Sequence, residues 1–150
     1  MFSHIVLGVD GSEVSSKGVD VAAGLAATLQ ARVTVVHALV DPMMVMPPVA
    51  PTEAMITPPL LSEDALAELE KAGREIVGAA VDRLRQAGVT AEGRLERGPA
   101  GAQIVQAART AGADLIILGS RGHGKLEELL LGSVSDAVVR EAPCSVLIVR

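Results

Sequence analysis

HIVLGVDGSEVSSKGVDVAAGLAATLQARVTVVHAL, residues 4–39, decides the fold. It opens on an apolar run rich in β-branched residues, His4 to Val9, and closes on another, Arg32 to Leu39. Runs this short and this continuous are those of buried strands. Between them Val14, Gly18, Val21, Leu25 and Leu29 recur every three or four residues, which gives a helix one apolar stripe. Two buried strands joined through a helix pair in parallel, by a right-handed crossover.

The same alternation runs to the end of the chain. Asp114 to Leu118 and Ser145 to Val149 are further buried runs. Thr90 to Arg97 differs: Thr90, Glu92, Arg94 and Glu96 alternate with Ala91, Gly93 and Leu95, as in a strand with one wet face. A second helical stripe is made by Leu66, Leu69, Gly73, Ile76, Ala80 and Leu84; Ser62 caps it, Glu63 and Asp64 sit at its positive dipole end, and Gly88 stops it. Pro99, suited to the first helical position, opens a third helix that Gly112 ends. A fourth begins near Gly132-Ser133 and must finish before Pro143. Strand and helix alternating five times predict an α/β fold, a doubly wound parallel five-stranded sheet with helices on both faces. The last strand, apolar on both faces, needs a partner if it lies at an edge, and a second copy of the chain is the simplest one.

A chain of 150 residues suits one domain and buries about two thirds of its unfolded surface. Phe2 is the only aromatic, so the core is aliphatic and no platform exists for stacking single-stranded bases. The net charge of -5 also argues against generic nucleic-acid binding. Cys144 has no partner for an internal disulfide, and there is neither a basic apolar leader nor a long uncharged apolar run; a cytoplasmic protein without a membrane segment is expected. Residues 41–61 follow no period and hold six of the eight prolines and four of the five methionines. A loop of that length is either a mobile insertion or a lid, and it leaves the carboxyl end of the second strand.

Sheets of this kind bind ligands beyond the carboxyl ends of their strands, where the winding reverses. Asp10-Gly11-Ser12 follows the first strand; Gly119-Ser120-Arg121-Gly122-His123-Gly124-Lys125 follows the fourth. Glycines spaced this way let main-chain N–H groups converge on one anion, and the helix opening at Gly132-Ser133 offers its free N–H groups and positive end, with the Ser133 and Ser135 hydroxyls as further donors. Taken singly, these glycines make tight turns and Ser133 caps a helix; their combination is what points to phosphate. GSRGHGKL, residues 119–126, has the glycine and lysine spacing of a phosphate loop, but Leu126 stands where a magnesium-binding hydroxyl is required, so the chemistry of that motif is missing.

GSRGHGKLEELLLGSVSDAVV, residues 119–139, resembles the nucleotide-binding signature of the universal stress protein family, in its ATP-binding branch. VLGVDGSE resembles that family's first strand and turn, VTVVHAL its second strand and APCSVLIVR its last. The resemblance implies a flavodoxin-like, Rossmann-like sheet of order 3-2-1-4-5, a homodimer through the strand 145–149, and one ATP per subunit, with Mg²⁺ or Mn²⁺ as its accompanying metal. It implies that Gly119, Gly122, Gly132 and Ser133 hold phosphates and ribose, with Ser120, Arg121, Val134 and Ser135 nearby. Val9 and Asp10 would flank the nucleotide, Asp10 taking a ribose hydroxyl or the metal ion, and Ala38 would meet adenine through its backbone. The segment 41–61 does not map on the family pattern.

The other candidates have plainer readings. His4, His37 and His123 lack metal-ligand spacing; His37 lies within a strand and reads as packed or locally bonded. Cys144 reads as a small buried hydrophobe, and Glu127-Glu128 as a solvated pair. Arg121 and Lys125 either neutralise phosphate or are loop cations. Nothing places a nucleophile beside a base. The expectation is a nucleotide-dependent regulatory module acting on a protein partner of unknown identity, with a slow ATPase or self-phosphorylating protein, or a dimeric protein that binds no nucleotide, as the alternatives.

Overall fold

The computed structural model describes residues 1–40, 62–120 and 131–150. The segment 41–61, with its lid reading, and the stretch 121–130, with Arg121, Gly122, His123, Lys125, Leu126 and the Glu127-Glu128 pair, lie outside the described residues. In chain order the elements are β1 (His4–Gly8), α1 (Glu13–Leu29), β2 (Arg32–Leu39), α2 (Glu63–Gln86), β3 (Ala91–Arg97), α3 (Ala100–Ala111), β4 (Leu115–Gly119), α4 (Ser133–Glu141) and β5 (Ser145–Val149).

All five strands pair in parallel in the order β3-β2-β1-β4-β5, the order that the resemblance implies. Every residue of β1 is buried, because the strand is central and packed on both faces. Ile5 and Leu7 join Val33 and Val35 against Val19 and Ala22 of α1 and Val77 and Leu84 of α2. Val6 and Val36 face the other way, with Ile116 and Leu118, onto Ile104, Val105 and Ala108 of α3 and Val138 of α4. The chain therefore reverses its winding between β1 and β4.

The edges follow the sequence pattern. In β3, Ala91 joins the core and a Cβ on Gly93 would run into Val77 of α2, while Glu92 lies exposed. At the opposite edge β5 is only half-buried after Ser145, although Leu147 and Val149 touch one cluster and Val146 and Ile148 the other.

Three details differ from expectation. The line of α1 against the sheet is Ser15, Gly18, Val19, Ala22 and Ala26; Val14, Val21, Leu25 and Leu29 sit half-buried on its flanks. Small side chains let the helix approach the strands closely, and the larger ones fill the space to each side. In α2, Leu66 and Leu69 are exposed, and burial begins at Gly73. The cause is length: 24 helical residues span about 36 Å, against about 23 Å for the seven of β3, so the first turns overhang the carboxyl end of the sheet. Pro99 is the cap of α3, one residue before the position expected.

Candidate functional site

β1 ends because Gly11 turns the chain with φ 81°, a conformation open to glycine, and Ser12 then caps α1 by accepting from the Ser15 N–H. Asp10 stands in that turn; its carboxylate accepts from the Ser12 N–H at 2.9 Å, and its own N–H donates to Ser15 Oγ at 3.1 Å. Ser15 is 5% exposed and is the link to the neighbouring strand. A Cβ on Gly119, at the end of β4, would lie 2.8 Å from Val14 Cγ1 and 3.4 Å from the Ser15 nitrogen. Glycine is thus required there by the approach of α1, whatever else the site holds.

The start of α4 is fastened to the same place. Ser135 Oγ donates to the Gly119 carbonyl at 2.8 Å, Gly132 N–H donates to Ser120 O at 2.8 Å, and Ser120 N–H donates to Val149 O at 2.7 Å. The structure so brings Asp10, Gly119, Ser120, Gly132, Ser133, Val134 and Ser135 to one end of the sheet, across the reversal between β1 and β4. Val9 joins them through its N–H, which donates to Val36 O, and Ala38 lies one turn of the pleat further along β2.

The helix ends differ in a telling way. Ser12 and Ser62 cap α1 and α2 with their own hydroxyls, whereas neither Pro99 of α3 nor Gly132 of α4 makes a side-chain cap bond, and α4 is the one fastened to the end of β4. The N–H groups of Ser133, Val134 and Ser135 therefore face outward with the positive end of the dipole, and nothing among the described residues caps them. Ser133 is exposed and Val134 is 36% exposed, so this end is accessible. Ser135 is 2% exposed and its hydroxyl proton is spent on Gly119, which leaves its main-chain N–H, and not its side chain, for an anion.

Sequence reasoning missed Ser15, because a serine in the first turn of a helix reads as solvated. It passed over His37 as a locally bonded histidine. The ring is indeed bonded, donating from Nδ1 to Val9 O at 2.8 Å, directly beside Asp10. The signal was a half-buried polar residue near the carboxyl end of a strand whose middle is buried.

Three groups displaced from their ordinary acidity, His4, Asp114 and Cys144, lie toward the opposite, amino-terminal end, while Glu70 of α2 is held below its usual range by Arg74 and Arg97. Burial, and then the charge of Arg32, lower the His4 pKa below 6.5. Partial burial works to raise the Asp114 carboxyl, but bonds from the Ser3 N–H and hydroxyl and from the His4 N–H outweigh it and hold it below its usual range. Burial, with the Asp114 charge, raises the Cys144 thiol and makes it less reactive. No group of three or more His, Cys, Asp or Glu residues that could hold a metal ion exists among the described residues, nor is any described helix long and apolar enough to cross a membrane.

Comparison with known proteins bears on the site. Residues 1–150 match the model of the Universal stress protein family. The chain is 34% identical over 150 residues to the universal stress protein YxiE of Bacillus subtilis, covering the whole of both. Among solved structures, a member of that family from Burkholderia pseudomallei is 27% identical with a TM-score of 0.74, covering 99% of this chain and 96% of its own. A universal stress protein in complex with cAMP is also 27% identical, with a TM-score of 0.69, and covers 99% of this chain and 97% of its own.

Proposed function

The chain belongs to the universal stress protein family, and from that premise we propose that it is a nucleotide-dependent regulatory module whose crevice, at the reversal between β1 and β4, binds an adenine nucleotide. The observation that carries this reading is the uncapped start of α4, tied by Ser135 and Gly132 to the end of β4 and set beside the Asp10 turn. Free N–H groups at a helix N-terminus hold phosphate oxygens, and the relative in complex with cAMP supports an adenine ligand.

ATP is the ligand in this reading. Gly119, Gly122, Gly132 and Ser133 hold phosphates and ribose, with Ser120, Arg121 and the N–H groups of Val134 and Ser135 close by, and Val9, Asp10 and Ala38 line the nucleoside side. Among the described residues Asp10 belongs to no cluster of three metal-ligating side chains, so Mg²⁺ or Mn²⁺ would enter with the phosphates and take one bond from it. In this reading the protein holds the nucleotide and passes its state to a protein partner. A homodimer through β5, in the cytoplasm, completes the proposal.

Calorimetry with ATP, ADP, AMP and cAMP, with and without Mg²⁺, tests it. One site per chain is expected, and Gly122→Val should abolish it by filling the cradle. Absence of heat with every adenine nucleotide overturns the reading; ADP release near one turnover per second, lost in Asp10→Ala, would replace it with an enzyme.

A further inference from the structure

The main-chain bonds around Ala38 assign a role to His37. Along a strand, the N–H and C=O of one residue point to the same side, and successive residues alternate sides. In β2, Val33 N–H donates to Thr90 O and Leu39 O accepts from the Gly98 N–H, so the odd-numbered residues face β3. Arg32 N–H donates to Ser3 O and Val36 O accepts from the Val9 N–H, so the even-numbered residues face β1. Ala38 is therefore turned toward β1.

Its two partners there have been taken away. Continuing the ladder by two residues from Val36 would join the Ala38 N–H to Val9 O. That oxygen instead accepts from His37 Nδ1 at 2.8 Å. A carbonyl is only an acceptor, which fixes the ring proton on Nδ1. The same continuation would join Ala38 O to the Gly11 N–H, but the chain has turned away at Gly11 with φ 81°. Among the described residues, Ala38 is left with an adjacent main-chain donor and acceptor directed past the end of β1, and it is half-buried rather than closed off. Main-chain groups in such a place need a partner.

Room for the ring is built in. Gly73 of α2 stands over it; a Cβ there would lie 3.1 Å from His37 Cδ2 and 2.8 Å from Leu95 Cδ1.

We propose that His37 is a positioning residue that ends the β1–β2 ladder one bond early, so that the Ala38 main chain reads the edge of a flat base carrying an acceptor beside a donor, as the amino-purine edge does. His37 touches no ligand; it acts by occupying Val9 O. The inference rests on the nucleotide reading above for its ligand, while the ladder claim stands on the hydrogen bonds alone.

Two measurements test it on the full chain, each made on the unaltered protein, His37→Leu and His37→Asn; asparagine places an amide N–H close to where Nδ1 stands. The first is hydrogen exchange of the Ala38 amide without nucleotide. Fast exchange in the unaltered protein and in His37→Asn, slowed in His37→Leu as the Ala38 N–H rejoins Val9 O, is expected; a protected Ala38 amide in the unaltered protein overturns the proposal. The second is affinity for AMP and for ribose 5-phosphate, which lacks the base. His37→Leu should weaken AMP about tenfold, the scale of one lost hydrogen bond, leave ribose 5-phosphate unchanged, and be rescued by His37→Asn. AMP affinity unmoved by His37→Leu, or both ligands weakened alike, overturns the proposal. If the unaltered protein binds neither ligand, the nucleotide reading fails and the base edge with it, and the exchange data still decide whether His37 cuts the ladder.

Discussion

Gly119 and Ser135 show how one residue serves packing and site together. Gly119→Ala would push its Cβ against Val14 and the first turn of α1, and should cost about 1–3 kcal/mol, the range for overpacking. Urea unfolding without nucleotide checks this; an unchanged midpoint would mean that α1 does not press on β4. Ser135→Ala removes the bond to the Gly119 carbonyl and should cost about 1 kcal/mol, read in the same way. Both changes lie in the proposed nucleotide crevice, so stability must be measured before any loss of binding is ascribed to phosphate contacts. His4 is the residue through which pH acts. Its Nδ1 lies 3.1 Å from Ala111 O and its Nε2 2.8 Å from Thr34 Oγ1, both inside the protein. Because its folded pKa lies below 6.5, the unfolded chain takes up the proton first as the pH falls. Stability should therefore drop as the pH goes below 6.5 and level off beneath the folded pKa. Melting temperatures between about pH 7 and about pH 5 should fall less steeply in His4→Gln than in the unaltered protein; equal slopes would remove His4 as the cause. Asp114 acts in a separate window, its contribution being lost only under pH 3.8, as its lowered pKa is passed.

Among the elements, β5 carries the clearest consequence. Val149 O accepts from the Ser120 N–H, so Val149, Leu147 and Ser145 turn their main chain toward β4, and Val146 and Ile148 turn theirs to the open edge. Proline is tolerated where a strand N–H faces outward. If the proposed dimer forms through β5, Ile148→Pro should keep the β4–β5 ladder and the circular dichroism of the fold while sedimentation shows the dimer of the unaltered protein turned to monomer; a monomeric unaltered protein would overturn the dimer itself. A dimer that survives would place the interface elsewhere. The elements themselves were largely legible in sequence. All five strands and four helices fall within one or two residues of where the apolar runs, the Ser62 cap, Gly88, Gly112 and Pro143 put them, because buried strands and capped helices impose local patterns. The face of α1 was displaced by about one residue because Gly18, Ala22 and Ala26 are chosen for closeness to the sheet, which hydrophobicity does not register. The overhang of α2 depends on the relative lengths of two elements and is invisible to either one's periodicity. At the candidate site, the glycine spacing pointed to the carboxyl end of β4, where the start of α4 is fastened. Ser15 escaped because a serine in a first helical turn reads as solvated, and the His37 bond to Val9 O because a hydrogen bond between segments distant in sequence leaves no spacing to read.

At the scale of the molecule, the two ends of the sheet have different work. At the amino-terminal end His4, Thr34 and Asp114 are hydrogen-bonded among strands and helices. The carboxyl end gathers the start of α4 and the main chain of Ala38, which have no partner among the described residues, beside the hydrogen-bonded Asp10 turn. One hypothesis ties these together, that a nucleotide lies across the reversal with its phosphates at α4 and its base at β2. Titration of the amide signals with ATP tests it most directly. The account predicts that the amides of Asp10, Ala38, Gly119, Ser120, Ser133 and Val134 move together and saturate, while those of His4, Arg32 and Glu92 stay in place. Shifts confined to the amino-terminal end, or no saturable shift at all, would contradict it.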